Sequence, residues 1–98
     1  MFYKIKNVKL LIDYRLSVDF ICGEKKIYDL TPLFNKWSEF RTLKEVSGLF
    51  QHVKVDKGGY GVSWNDEIDL DCNELYHNGT TDEEQLLAIA EGNAGVKM

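Results

Sequence analysis

The residues best equipped for chemistry lie close together late in the chain. Asp69, Asp71 and Glu74, with Asp66 nearby, are carboxylates at short spacing, the donor type that holds calcium or magnesium. A calcium-binding loop needs alternating oxygen ligands, a central glycine and a later glutamate, and that spacing fails here. An aspartate beside a turn needs only its short acceptor oxygen to form an Asx turn or a helix cap. That structural role is expected for Asp69, and for Asp29 before Thr31-Pro32. His52 and His77 stand near no cysteine in sequence, so no zinc spacing exists. Cys22 and Cys72 are too few for a disulfide framework and are expected as reduced thiols. No Gly-Xaa-Ser-Xaa-Gly elbow, phosphate-cradling loop or His-Glu-Xaa-Xaa-His motif occurs. Gly58-Gly59-Tyr60-Gly61 is glycine-rich but lies between strand patterns, as a hairpin tip does. The expectation is therefore no catalytic residue, no cofactor and no metal.

Charge narrows the classes further. The chain has 98 residues and a net charge of -4, unevenly placed. Residues 61–98 hold nine acids and one base, Lys97, for a net -8, while residues 1–60 carry +4. An acidic second half repels phosphate backbones and suits a basic partner. Lys4, Lys6, Lys9, Arg15, Lys25 and Lys26 lie among aromatics in the first half, which keeps a nucleic-acid-binding module as an alternative. Strand lysines also commonly just protect a sheet edge. A hydrophobic fraction of 44% and a charged fraction of 29% are those of an ordinary globular domain. No run approaches the roughly 20 apolar residues of a membrane span, and the first residues lack the pattern of a signal peptide. The expected location is the cytoplasm.

The elements that must position these residues follow from periodicity. Residues 4–12 alternate with one slip in register, Arg15 to Phe20 alternate cleanly, and Lys25 to Leu30 make a third strand. Asp13-Tyr14 and Cys22-Gly23-Glu24 are the turns between them, giving an antiparallel meander. Thr31-Pro32 opens a short helical turn, and Trp37 and Phe40 return the chain to the core. Leu43, Val46 and Phe50 predict a helix over 42–50, with Thr42 and Glu45 at capping-box spacing. Val53 and Val55 form a fourth strand and Tyr60 to Trp64 a fifth; Ile68 to Leu70 packs back, and Cys72 to Tyr76 make a helical turn that Asn78-Gly79 stops. Residues 80–92 predict an acidic amphipathic helix, with Thr81 and Glu84 at capping-box spacing and Leu86, Leu87, Ile89 and Ala90 on its apolar face. It either packs on the sheet or stands out as a contact helix.

The order of these features resembles a small bacterial family known as domain-of-unknown-function family 2442. The matching residues are Tyr14-Arg15-Leu16 with Val18 and Phe20, Gly23, Asp29-Leu30-Thr31-Pro32-Leu33, Phe40 with Leu43, Phe50 with Val53, Val62 with Trp64, Asp69-Leu70 and Leu75-Tyr76. The family commonly has proline after the tryptophan and glycine before the late Asp-Leu; Asn65 and Glu67-Ile68 stand there instead, which leaves the turn type open. The resemblance implies no activity and no catalytic residue. Some relatives carry a helix-turn-helix domain after this module, and residues 80–98 are too short for one, so that DNA-binding role does not transfer. What it implies about partners is an antitoxin-like place beside another small protein.

Together these readings predict an α+β fold: an antiparallel sheet of about five strands with one or two short helices on one face and a short C-terminal helix. The division is a domain over 1–79, with a short acidic helix and tail over 80–98. Both tryptophans, Phe20, Phe34, Phe40 and Phe50 are expected in the core. The expected function is a non-catalytic protein–protein interaction module, a homodimer or the partner of another small protein. Contact is expected through a sheet edge or the acidic helix, with Asp66, Glu67, Glu74, Glu83, Glu84 and Leu87 as the contact residues. The alternative from another class is a metal-dependent enzyme using the acids of 66–74.

Overall fold

A computed structural model describes residues 1–81. The alternating N-terminal segment forms β1 (Ile5–Leu11), β2 (Arg15–Phe20) and β3 (Lys25–Asp29), joined antiparallel in the order β1-β2-β3. The slip in the β1 pattern is a bulge: Ile5 pairs with Phe20 and Asn7 with Asp19, so the register shifts between them. Beyond it the ladder runs regularly from Val8↔Val18 to Leu11↔Arg15.

The turns obey local chemistry. Between β1 and β2, Asp13 and Tyr14 both take left-handed backbone angles, φ 61° and 58°. That conformation is costly for a residue as large as tyrosine. Packing holds it: the Tyr14 ring meets Phe34 at 5.4 Å and Phe50 at 5.1 Å, and its carbonyl accepts from the Leu30 N–H at 3.0 Å. Between β2 and β3, Gly23 supplies φ 101°.

Two helices follow. Asp29 Oδ1 accepts from the Thr31 N–H at 3.0 Å and its hydroxyl at 2.8 Å, and Pro32 sits in the first turn of α1 (Thr31–Lys36). The expected Asx role of Asp29 is thus met. Trp37 is extended and separates α1 from α2 (Ser38–Glu45). The second helix starts earlier than the spacing of Thr42 and Glu45 suggests. Thr42 lies inside it, and its hydroxyl donates back to the Glu39 carbonyl, as a mid-helix threonine does. The helix is over by Val46, which is extended and exposed, and Phe50 belongs to a separate single turn, Phe50–His52.

The second half forms its own sheet instead of extending the first. β4 (Lys54–Val55), β5 (Gly61–Ser63) and β6 (Asp69–Asp71) pair antiparallel in that order. The described residues thus hold six strands in two three-stranded sheets where about five in one sheet were expected. A 3₁₀ turn, Lys57–Gly59, joins β4 to β5. Gly59 takes φ 80°, and a Cβ there would stand 2.6 Å from the Ile5 carbonyl oxygen, so the turn packs directly on β1. The β5–β6 turn is built without proline: Asn65 Oδ1 accepts from the N–H groups of both Glu67 and Ile68 at 2.9 Å. The chain then enters α3 (Cys72–Asn78), capped by Asp71, whose Oδ2 accepts from the Asn73 N–H at 2.9 Å. Asp71, not Asp69, is the capping aspartate.

One core cluster takes side chains from both sheets and all three helices, among them Leu16, Phe20, Phe34, Leu43, Val62 and Leu75. Trp64 is buried, donates from Nε1 to the Phe50 carbonyl at 3.1 Å, and faces the rings of Phe40 and Phe50. Trp37 is 55% exposed and lies outside this cluster, contrary to expectation. Its extended backbone between two short helices turns the side chain outward while Leu33, Phe34 and Phe40 fill the core. The helix expected over 80–92 falls, from Asp82 onward, outside the described residues.

Candidate interaction surface

The carboxylates clustered in sequence between residues 66 and 74 are dispersed by the fold. Asp66 and Glu67 are exposed in the β5–β6 turn, and Asp69 is exposed on β6. Asp71 caps α3. Glu74, half-buried on α3, accepts from the Tyr28 hydroxyl at 2.7 Å and from Asn78 Nδ2 at 2.9 Å. Among the described residues, no group of three or more His, Cys, Asp or Glu side chains is placed to hold a metal ion. His52 is exposed at the end of its 3₁₀ turn; His77 is exposed with its ring edge-on to Tyr3 and Tyr76. Cys22 is exposed, Cys72 is buried, and no bond joins them. Glu83, Glu84 and Leu87 lie outside the described residues.

Glu74 therefore serves first as a structural tie. It links α3 to β3 across 46 positions of sequence. Burial of Tyr28 and the adjoining Glu74 carboxylate both hold the phenol protonated well above its ordinary pKa. Tyr76 is pushed up to about 12, chiefly by its hydrogen bond with Glu24. Burial, with Asp71 close by, raises the Cys72 thiol. These shifts suppress ionisation, the reverse of what an activated nucleophile requires.

The N-terminus is fastened to α3, a feature the sequence did not disclose. The Tyr3 N–H donates to Asn73 Oδ1 at 3.0 Å, and Asn73 Nδ2 donates to the Met1 carbonyl at 2.9 Å. The Tyr3 ring stacks on Tyr76 at 3.6 Å. This anchoring leaves Phe2 58% exposed, edge-on to Tyr60 at 5.3 Å. Met1, Phe2, Tyr3, Lys4, Ile21 and Cys22 line an open cleft of about 310 Å³ there.

From this anchor the chain runs into β1, the outer strand of its sheet. Among the described residues it pairs with β2 on one side; β4 and the 57–59 turn approach its other side without joining its ladder. Leu10 is exposed on β1, and Ile12, just past its end, is 75% exposed. Lys4, Lys6 and Lys9 punctuate the same stretch, and Lys4 Nζ lies 5.0 Å from the centre of the Tyr60 ring. The result is a seven-residue edge with apolar groups at its far end, cations along it and an apolar cleft at its start.

No helix among the described residues is long and apolar enough to cross a membrane. Comparison with curated proteins and with solved structures gives no match. Residues 5–81, from the first strand to the last described residue, match the family described as "Protein of unknown function (DUF2442)". The chain belongs to that family.

Proposed function

We propose that this protein is a non-catalytic, cytoplasmic interaction module that pairs through the outer edge of β1 with a strand of another protein, either a second copy or another small protein. The observation that supports this reading is the seven-residue β1 strand, which among the described residues is hydrogen-bonded into a ladder on one side only. An unpaired edge presents a row of N–H and C=O groups that a partner strand satisfies. Exposed Leu10 and Ile12 give such a strand apolar contacts, and the lysines favour an acidic partner segment. The dispersal of the 66–74 carboxylates, each exposed or engaged in a structural bond, weighs against the metal-dependent alternative.

The test is affinity isolation of the tagged full chain from its own cells at moderate salt, with bound proteins identified by mass spectrometry. Wild type is compared with the double variant Leu10→Lys, Ile12→Lys. The expected result is a stoichiometric small-protein partner, or a homodimer by light scattering, that the variant loses while its circular dichroism stays native. A complex that survives the double substitution, or a wild type that is monomeric and without partner, overturns the reading.

A further inference from the structure

A second cleft, of about 410 Å³, opens at the far end of β1 between the β1–β2 turn and the end of α2. That volume is in the range of small-ligand sites. Leu43 and Phe50, both buried, line it together with the half-buried Leu11 and Tyr14. The rings of Tyr14 and Phe50 meet there at 5.1 Å. Asp13 and Glu45 also line it and are exposed, one from the β1–β2 turn and one from the last turn of α2. The cleft thus joins an apolar, aromatic floor to a carboxylate on each of two walls.

The field in this cleft is negative. Among the described residues, neither Asp13 nor Glu45 has a side-chain hydrogen bond or an ion pair. The α2 helix ends between them. Its Thr42 carbonyl accepts from the Val46 N–H at 2.9 Å, but the carbonyls of Leu43, Lys44 and Glu45 accept no backbone N–H among the described residues. Those free carbonyls are the negative end of the helix dipole. The nearest cations are engaged elsewhere. Lys44 Nζ lies 5.3 Å from the centre of the Phe34 ring, and Arg15 Nε donates to the Ile12 carbonyl at 3.2 Å.

The chemistry of the lining selects among cations. A calcium or magnesium ion takes roughly six or more oxygen ligands and gains nothing from an aromatic floor. An ammonium is a compact, strongly hydrated point charge. A guanidinium is planar and weakly hydrated, stacks on aromatic rings and binds carboxylates in a fork.

We propose that this cleft is a binding site for a guanidinium group on an aliphatic stem, borne by an arginine side chain or by a small alkylguanidine. Asp13 and Glu45 meet the cation, the rings of Tyr14 and Phe50 meet its flat face, and Leu11 and Leu43 take the stem. The proposal goes beyond strand pairing and stands whether or not the β1 edge takes a partner.

Titration of the ¹⁵N-labelled full chain into the millimolar range tests it, with three probes. Butylguanidine is the free ligand, acetyl-Gly-Arg-Gly-amide presents the same group on a peptide, and butylurea is their neutral, planar counterpart. The expected result is saturable shifts of the Asp13, Tyr14 and Val46 to Gln51 amides with a guanidinium probe, at least about tenfold tighter than with butylurea, since the bonds to the carboxylates are charge-assisted. Asp13→Asn with Glu45→Gln, at two exposed positions, should weaken that binding by a similar factor while the rest of the spectrum stays native. Tighter binding of the peptide assigns the site to an arginine of a partner protein, and tighter binding of butylguanidine assigns it to a small molecule. Absence of saturable shifts with both guanidinium probes, equal binding of butylurea, or unchanged binding in the double variant overturns the proposal.

Discussion

At the scale of single residues, the fold depends on a few groups whose roles are set by partners far away in sequence. Tyr28 and Glu74 are one such pair. Tyr28→Phe keeps the ring and removes the donor; the expected cost at neutral pH is about 1–2 kcal/mol, read from the denaturant midpoint. The pH dependence follows from the raised pKa of Tyr28. The unfolded chain releases this proton near pH 10, before the folded one does. Stability from the bond is full below that value and is lost as pH rises through the folded pKa. The variant should therefore lose less stability than wild type above about pH 10, and an identical alkaline decline would show that the bond contributes nothing. Gly59 is a second point of dependence. Gly59→Ala meets both the left-handed backbone and the Ile5 carbonyl, and should cost at least about 1–2 kcal/mol from the backbone alone. Unchanged thermal stability would mean that the 57–59 turn does not pack on β1 as described.

At the scale of elements, legibility in the sequence followed the range of the forces involved. β2 was plain because Leu16, Val18 and Phe20 alternate against a packed face, and the β1 slip appeared as a broken alternation that the bulge explains. The Asp29 turn and the Gly23 turn were legible because one side chain or one φ angle decides each. The helix over 38–45 was misplaced because Thr42 and Glu45 stand at capping-box spacing by coincidence; its true start is set by the extended backbone of Trp37, which carries no cap signal. For the same reason Trp37 was wrongly assigned to the core. The capping role given to Asp69 belongs to Asp71, two residues on, since β6 runs one residue beyond the Asp69-Leu70 pair. This difference is measurable. Asp71→Ala should cost about 1 kcal/mol through loss of the α3 cap, whereas Asp69→Ala, exposed and uncapping, should stay within about 0.5 kcal/mol. Equal effects in urea unfolding would remove the distinction.

At the scale of the whole molecule, the proposed function depends on which strand lies outermost, and hydrophobic patterning does not record strand order. The sequence correctly indicated an α+β domain, but one sheet of about five strands became two sheets of three, because β4 to β6 pair among themselves. Among the described residues that division leaves β1 paired on one side and brings the 57–59 turn against its start. It also disperses the acids that looked like one constellation and ties Glu74 to β3. The proposed function places a partner strand along the β1 edge. Amide hydrogen exchange of Lys6 to Leu11, compared between the isolated chain and its assembled state, tests this most directly. Pairing at this edge should slow exchange along β1 by at least about tenfold on assembly while leaving the β4–β6 sheet unchanged. Assembly that leaves β1 exchange as it was, and protects another surface instead, would contradict it.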